Sequence, residues 1–163
     1  MSFCPECGSK TISKVVDNAT RLVCKDCNFT DWKNPIPVVA ALVKHEGKYL
    51  LARNKEWGEG LFSLIAGYLE SGEEIEKAVL REVKEELNLD GKIINSLGHY
   101  SLLEKDQIIL AFEIEATGSI KTNYELVETI QLSDHELSNY DFSYFNLTER
   151  IINNWKNLRE NRH

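Results

Sequence analysis

Residues 67–89, GYLESGEEIEKAVLREVKEELNL, constrain this chain more than any other stretch. Ile75, Ala78, Val79, Val83 and Leu87 recur every three or four positions, which predicts an amphipathic helix over residues 73–87 with one buried stripe. Glu73, Glu74 and Glu76 suit the positive end of its dipole, and Ser71 with Glu74 three positions on reads as a capping box. Glu82, Glu85 and Glu86 have no such explanation. They fall in the last turns, where the dipole favours cations, and like charges at this spacing cost roughly 0.2–0.5 kcal/mol per pair. A solvated acidic face relieved by Arg81 and Lys84 is the ordinary account of a charge run. Against it stands the setting: Gly67 ends a strand, a short glycine-containing loop follows, and Arg81 directly precedes the cluster. Hard divalent cations require several carboxylate oxygens close together, so the cluster predicts a cation site.

All four cysteines lie in two CxxC pairs, Cys4 with Cys7 and Cys24 with Cys27, at the spacing of a zinc site. Each turn aims two thiolates at one point, and two turns complete a tetrahedron for a borderline or soft cation. Gly8 and Asn28 follow the second cysteine of each pair, where such a turn favours positive φ. Structural zinc is the expectation; iron can occupy similar knuckles. Disulfides do not suit a reducing cytosol, and a redox CxxC has no need of a second copy. With four protein ligands no coordination position is left for substrate, so the site reads as a staple for a segment too short to build a core.

The formal net charge of −7 argues against a duplex DNA binder, and the interval between the cysteine pairs carries few basic residues and no aromatic to stack a base. A phosphate substrate bridged by metal remains open, because a bound cation reverses the local sign. Met1 leads into Cys4 with no basic segment and apolar run, and no apolar stretch approaches the roughly 20 residues that span a bilayer, so the expectation is a soluble cytoplasmic protein.

Composition shifts at DWKNPIP, which separates an expected ribbon at residues 1–33 from a main domain at residues 34–163. VVAALVKHEGKYLLAR reads as a hairpin about Glu46-Gly47, and residues 61–66, HYSLL, QIILAFEIEA and part of residues 127–132 read as further strands. In QIILAFEIEA, Leu110, Phe112 and Ile114 share one face, and Ala111, Glu113 and Glu115 the other. A closing helix from about Ser143 carries Tyr144, Leu147, Ile151, Trp155 and Leu158 as a core stripe.

Gly67, Glu73, Arg81-Glu82-Val83, Glu85-Glu86 and Leu89 resemble the Nudix box, G-x5-E-x7-R-E-U-x-E-E-x-G-U with U aliphatic. Every defined position matches except Asn88, which stands where the box has glycine; asparagine is the least costly replacement at a left-handed helix end. A four-cysteine ribbon followed by WKNP, a hairpin and SLIAGYLE resembles the zinc-ribbon Nudix enzymes that split NADH, ADP-ribose or FAD at the pyrophosphate. The resemblance implies an α/β fold, a curved mixed β-sheet between helices, often as a homodimer.

It also implies roles. Glu82 and Glu86 would be ligands of Mg²⁺ or Mn²⁺, with Glu85 a third ligand or the general base, joined by the Gly67 carbonyl. Glu73 and Arg81 would brace the loop by an ion pair. AFEIE resembles the A-F-x-x-E of NADH-cleaving members, which favours Glu115 as the downstream ligand, with Glu113 as the fallback. Tyr68 stands where relatives carry an aromatic that packs on a base. Members dedicated to NADH carry SQPWPFP-like residues after the box; here the region reads GHYSLLEKDQ, and the tail is closer to the FAD and ADP-ribose enzymes. The implied reaction is metal-dependent hydrolysis of a nucleotide pyrophosphate to two monophosphates. A nucleotide-sensing Nudix module and an RNA cap-removing enzyme are the alternatives, the latter disfavoured by the acidic balance.

Overall fold

The computed structural model describes residues 2–142 and 144–161. The chain divides into two units, Met1–Pro35 and Ile36–His163. In the first, β1 (Thr11–Val16), β2 (Ala19–Cys24) and β3 (Thr30–Asp31) form an antiparallel sheet in that order. Asp17 and Asn18 both take positive φ between β1 and β2, the backbone of a two-residue hairpin turn that these side chains tolerate. Among the described residues of this unit only Cys4 and Cys24 are fully buried. Apart from Cys24 the residues of these strands are exposed or half-buried, so apolar burial does not hold the ribbon together.

In the second unit, β4 (Ile36–His45) and β5 (Lys48–Asn54) form the expected hairpin, with Glu46 and Gly47 at positive φ. Then come β6 (Ile65–Tyr68), α1 (Ile75–Leu87), β7 (Asp90–Leu102), β8 (Gln107–Thr117), β9 (Leu126–Leu132), α2 (Asp134–Ser138) and α3 (Asn146–Glu160). The strand order is β7-β8-β4-β5-β9, with β6 paired to β4 where β5 has parted from it. β4 and β8 run parallel and every other pair is antiparallel, so the sheet is mixed.

Strand alternation divides β4 between two cores. Val39, Ala41 and Val43 meet Ala78, Val79, Val83 and Leu87 of α1 together with Ile114 of β8. Val38, Ala40 and Leu42 face the other way, against Tyr49, Ala111, and Ile151, Ile152 and Trp155 of α3. The sheet is thus sandwiched between α1 and α3. No helix among the described residues is long and apolar enough to cross a membrane.

Four local readings change. The first four residues of HYSLL are only the end of the 13-residue β7, because bulges between Ile93 and Asn95 and between Ser96 and Gly98 break the alternation that reveals a strand. The strand expected at residues 61–66 starts at Ile65; Ser63 makes only an isolated bridge to Ala52. α1 starts at Ile75 with Glu74 as N-cap and no side-chain cap, while Ser71 sits in the preceding turn, so the Ser71 capping box does not form. A reciprocal box does form at α2, where Ser133 Oγ accepts from Glu136 N and Ser133 N donates to the Glu136 carboxylate. The helix start expected at Ser143 lies outside the described residues; Tyr144 precedes α3 and is exposed rather than part of the stripe.

Candidate metal centres

The ribbon brings its four Sγ atoms within 4.8 Å of one another, with Cys4 to Cys27 and Cys7 to Cys24 both at 3.5 Å. Four thiolates around zinc at about 2.3 Å define a tetrahedron with edges of about 3.8 Å, so the donor set fits the ion. Local backbone builds each half. Gly8 N donates to Cys4 O, Asp26 N donates to Cys24 Sγ at 3.4 Å, and Gly8 and Asn28 take φ of 74° and 60°. The cysteines are free thiols, not disulfides.

The second centre is assembled around α1. Helical spacing puts Glu82 and Glu86 one turn apart on the buried side, beside Val83, and both carboxylates are nearly enclosed. Opposite them β6 carries Gly67, paired with Val39; a Cβ there would lie 2.0 Å from the Glu82 carboxyl carbon, so only glycine lets this carboxylate approach the strand. Burial pushes the Glu86 pKa up to about 8, helped by the charges of Glu82, Glu125 and Glu85. Burial likewise raises Glu82, opposed by hydrogen bonding to Arg81. An all-oxygen donor set built around a bare glycine fits a hard divalent cation.

Arg81 binds the loop and the cluster together. Its Nε and Nη2 donate to Glu73 at 2.8 and 2.9 Å, Nη2 also reaches Tyr68 O at 3.1 Å, and Nη1 donates to Glu82 at 2.6 Å and Glu85 at 3.2 Å. Glu73 in turn accepts from Glu70 N, and its pKa is held down chiefly by Arg81. α1 ends at Asn88 in the left-handed region, φ 60°, its N–H donating to Lys84 O.

Glu115 does not join these carboxylates. Its neighbour Ile114 faces α1, touching the space beside Gly91 and Val83, so Glu115 projects from the opposite face of the sheet. There it lines a separate cavity of about 380 Å³ with Lys44, Tyr49 and Arg159. Glu113 shares that face and is committed: Tyr49 Oη donates to it at 2.7 Å, Trp155 Nε1 at 3.2 Å, and Asn95 Nδ2 closes on its other oxygen. Burial alone would raise the Glu113 pKa, and these hydrogen bonds bring it below the ordinary value.

Outside α1, the acidic residue whose charge acts on both Glu82 and Glu86 is Glu125. It precedes β9, which pairs antiparallel with β5 so that Leu126 lies opposite Asn54. Asn123 N donates to Glu86 O at 3.1 Å, tying the segment to the end of α1. No spacing rule in the sequence points to Glu125; the pairing of β9 with β5 does. Tyr68 follows Gly67 and alternates away from α1, leaving its ring 59% exposed beside Gln107.

The family described as NUDIX domain matches residues 33–160, and the one described as Nudix N-terminal matches residues 2–32. The chain belongs to the Nudix family. It is 32% identical over 135 residues to the NAD-capped RNA hydrolase NudC of Vibrio atlanticus, covering 82% of this chain and 49% of that protein. NudC of Pseudomonas aeruginosa is 28% identical over 130 residues, covering 79% of this chain and 46% of the relative. The chain therefore spans about half the length of the curated relatives it matches. In fold it is similar to a NUDIX hydrolase from Nitrosomonas europaea, with a TM-score of 0.81 at 24% identity over 93% of this chain and 89% of that one. An ADP-ribose pyrophosphatase from Streptococcus suis gives 0.62 at 21% identity over 77% and 93%.

Proposed function

We propose that this chain hydrolyses the pyrophosphate bond of a nucleoside diphosphate joined to a second moiety, of the ADP-ribose, FAD or NADH type, with Mg²⁺ or Mn²⁺. The observation that carries this reading is the enclosed acidic pair Glu82 and Glu86 against bare Gly67, with Glu125 acting on both. Glu82, Glu86, Glu125 and the Gly67 carbonyl would hold the cation, which supplies charge neutralisation at the phosphorus and acidifies bound water.

The protein's own part follows from position. Glu85 is 56% exposed on its side chain and bonded to Arg81, so it can act as a further ligand or accept a proton from attacking water. Arg81, fixed by Glu73, keeps the loop from Gly67 onward at the correct distance from the helix. The exposed Tyr68 ring offers a face for a base. In the ribbon, Cys4, Cys7, Cys24 and Cys27 would hold zinc as a structural staple. Cytoplasmic location and a homodimer belong to the same reading.

The relatives named for NAD-capped RNA support a second reading, in which the nucleotide is the 5′ end of an RNA. One experiment separates them: wild type and Glu86→Gln are given ADP-ribose, FAD, NADH and NAD-capped RNA with Mg²⁺ or Mn²⁺, and products are identified. Release of monophosphates from the small molecules, reduced about 100-fold or more in Glu86→Gln, is expected. Turnover of the capped RNA alone would move the preference to the second reading.

A further inference from the structure

Two loops meet at the rim of the acidic centre. Asn54 Oδ1 accepts from Glu56 N at 3.0 Å, and Asn123 Oδ1 accepts from Glu125 N at 2.9 Å and Leu126 N at 3.3 Å. Such Asx turns fix short segments without regular structure. Lys55 N donates to Glu125 O at 2.8 Å, which joins the two loops, and Asn123 N joins them to the end of α1. Two side chains project from this frame. The Tyr124 ring is 78% exposed, and Lys55 Nζ stands 4.6 Å from its centroid. The Tyr124 hydroxyl and the neighbouring Glu125 carboxylate interact, which raises the tyrosine pKa.

Lys55 has no carboxylate partner among the described residues, whereas Arg53, Lys77 and Lys84 are each ion-paired. An ammonium resting on an aromatic face keeps most of its attraction for an anion, because the ring is a weaker partner than a carboxylate. The ligand expected in this centre is itself anionic at every phosphate. The cation held by Glu82, Glu86 and Glu125 would neutralise it in part, and Lys55 is joined to Glu125 by the bond from Lys55 N to Glu125 O.

We propose that Lys55 and Tyr124 form the phosphate-receiving wall of this centre, Lys55 pairing with a non-bridging oxygen of a nucleotide phosphate and the Tyr124 ring positioning the ammonium. The proposal rests on the reading of the acidic centre as a nucleotide pyrophosphate site. Lys55 is thereby a binding residue, and Tyr124 a positioning residue that acts through it. Both are exposed, so their replacement leaves the two cores untouched.

The test measures KM and kcat for ADP-ribose with Mg²⁺, and calorimetric binding of AMP with Mg²⁺, in Lys55→Met, Lys55→Arg, Tyr124→Leu and wild type. Lys55→Met is expected to raise KM and the AMP Kd by about tenfold, the scale of one charge-assisted hydrogen bond, while kcat stays within about twofold. Lys55→Arg restores both to within about threefold, since it retains charge and ring contact, and Tyr124→Leu falls between. Unchanged KM and AMP affinity in Lys55→Met would overturn the proposal, as would a loss confined to kcat. Wild type that binds AMP but cleaves no pyrophosphate would overturn the functional reading alone, and the AMP comparison of Lys55→Met then decides the wall. Wild type that binds no AMP at millimolar concentration overturns both.

Discussion

The ribbon and the acidic centre both gather like-charged ligands, yet they are built in opposite ways. In the ribbon all donors come from two short turns, their spacing is visible in the chain, and little else in the unit is buried. The acidic centre draws on β6, α1 and the segment before β9, and two packed cores hold those elements whether or not a cation is present. A metal at the first site supplies the fold; a metal at the second meets a fold already made.

The largest expected effect that would break this contrast lies in the ribbon. Cys24→Ser, or a strong chelator, should abolish stoichiometric zinc and collapse amide dispersion for residues of β1 and β2, because the remaining burial cannot hold the strands. Dispersion that survives loss of the metal would remove the distinction. A smaller effect belongs to the acidic centre, where the cores persist and only the charge balance changes. Without divalent ion, burial, with the charges of Glu82, Glu125 and Glu85, pushes the Glu86 pKa up to about 8. A raised carboxyl favours the folded state while protonated, so stability is fully present below the ordinary value and is lost as pH rises through about 8. Thermal melts without divalent ion should fall by a few degrees between about pH 5 and about pH 8.5, and Glu86→Gln should flatten that slope. Excess Mg²⁺ should restore stability most at the alkaline end.

Legibility in the sequence followed the same division. The cysteine turns were readable because their geometry depends on neighbours, down to the positive φ at Gly8 and Asn28. The periodicity of α1 and the left-handed Asn88 were readable for that reason too. Bulges in β7 concealed most of that strand, and the box expected from Ser71 with Glu74 failed because α1 starts only at Ile75, with Glu74 itself as N-cap. Strand parity placed Glu113 and Glu115 on one face, but nothing in the chain said that this face belongs to α3 rather than α1. That depends on which way β8 is turned beside β4. Glu125 was hidden for the same reason, since only the pairing of β9 with β5 brings it to the cluster.

In the proposed cation centre the downstream carboxylate would come from Glu125, just before β9, not from β8. Mn²⁺ affinity measured by electron paramagnetic resonance in Glu125→Gln and Glu115→Gln tests it directly. Glu125→Gln should weaken Mn²⁺ by about tenfold or more, and Glu115→Gln should leave it within about twofold of wild type. The reverse order, with Glu115→Gln losing the ion and Glu125→Gln keeping it, would contradict the account.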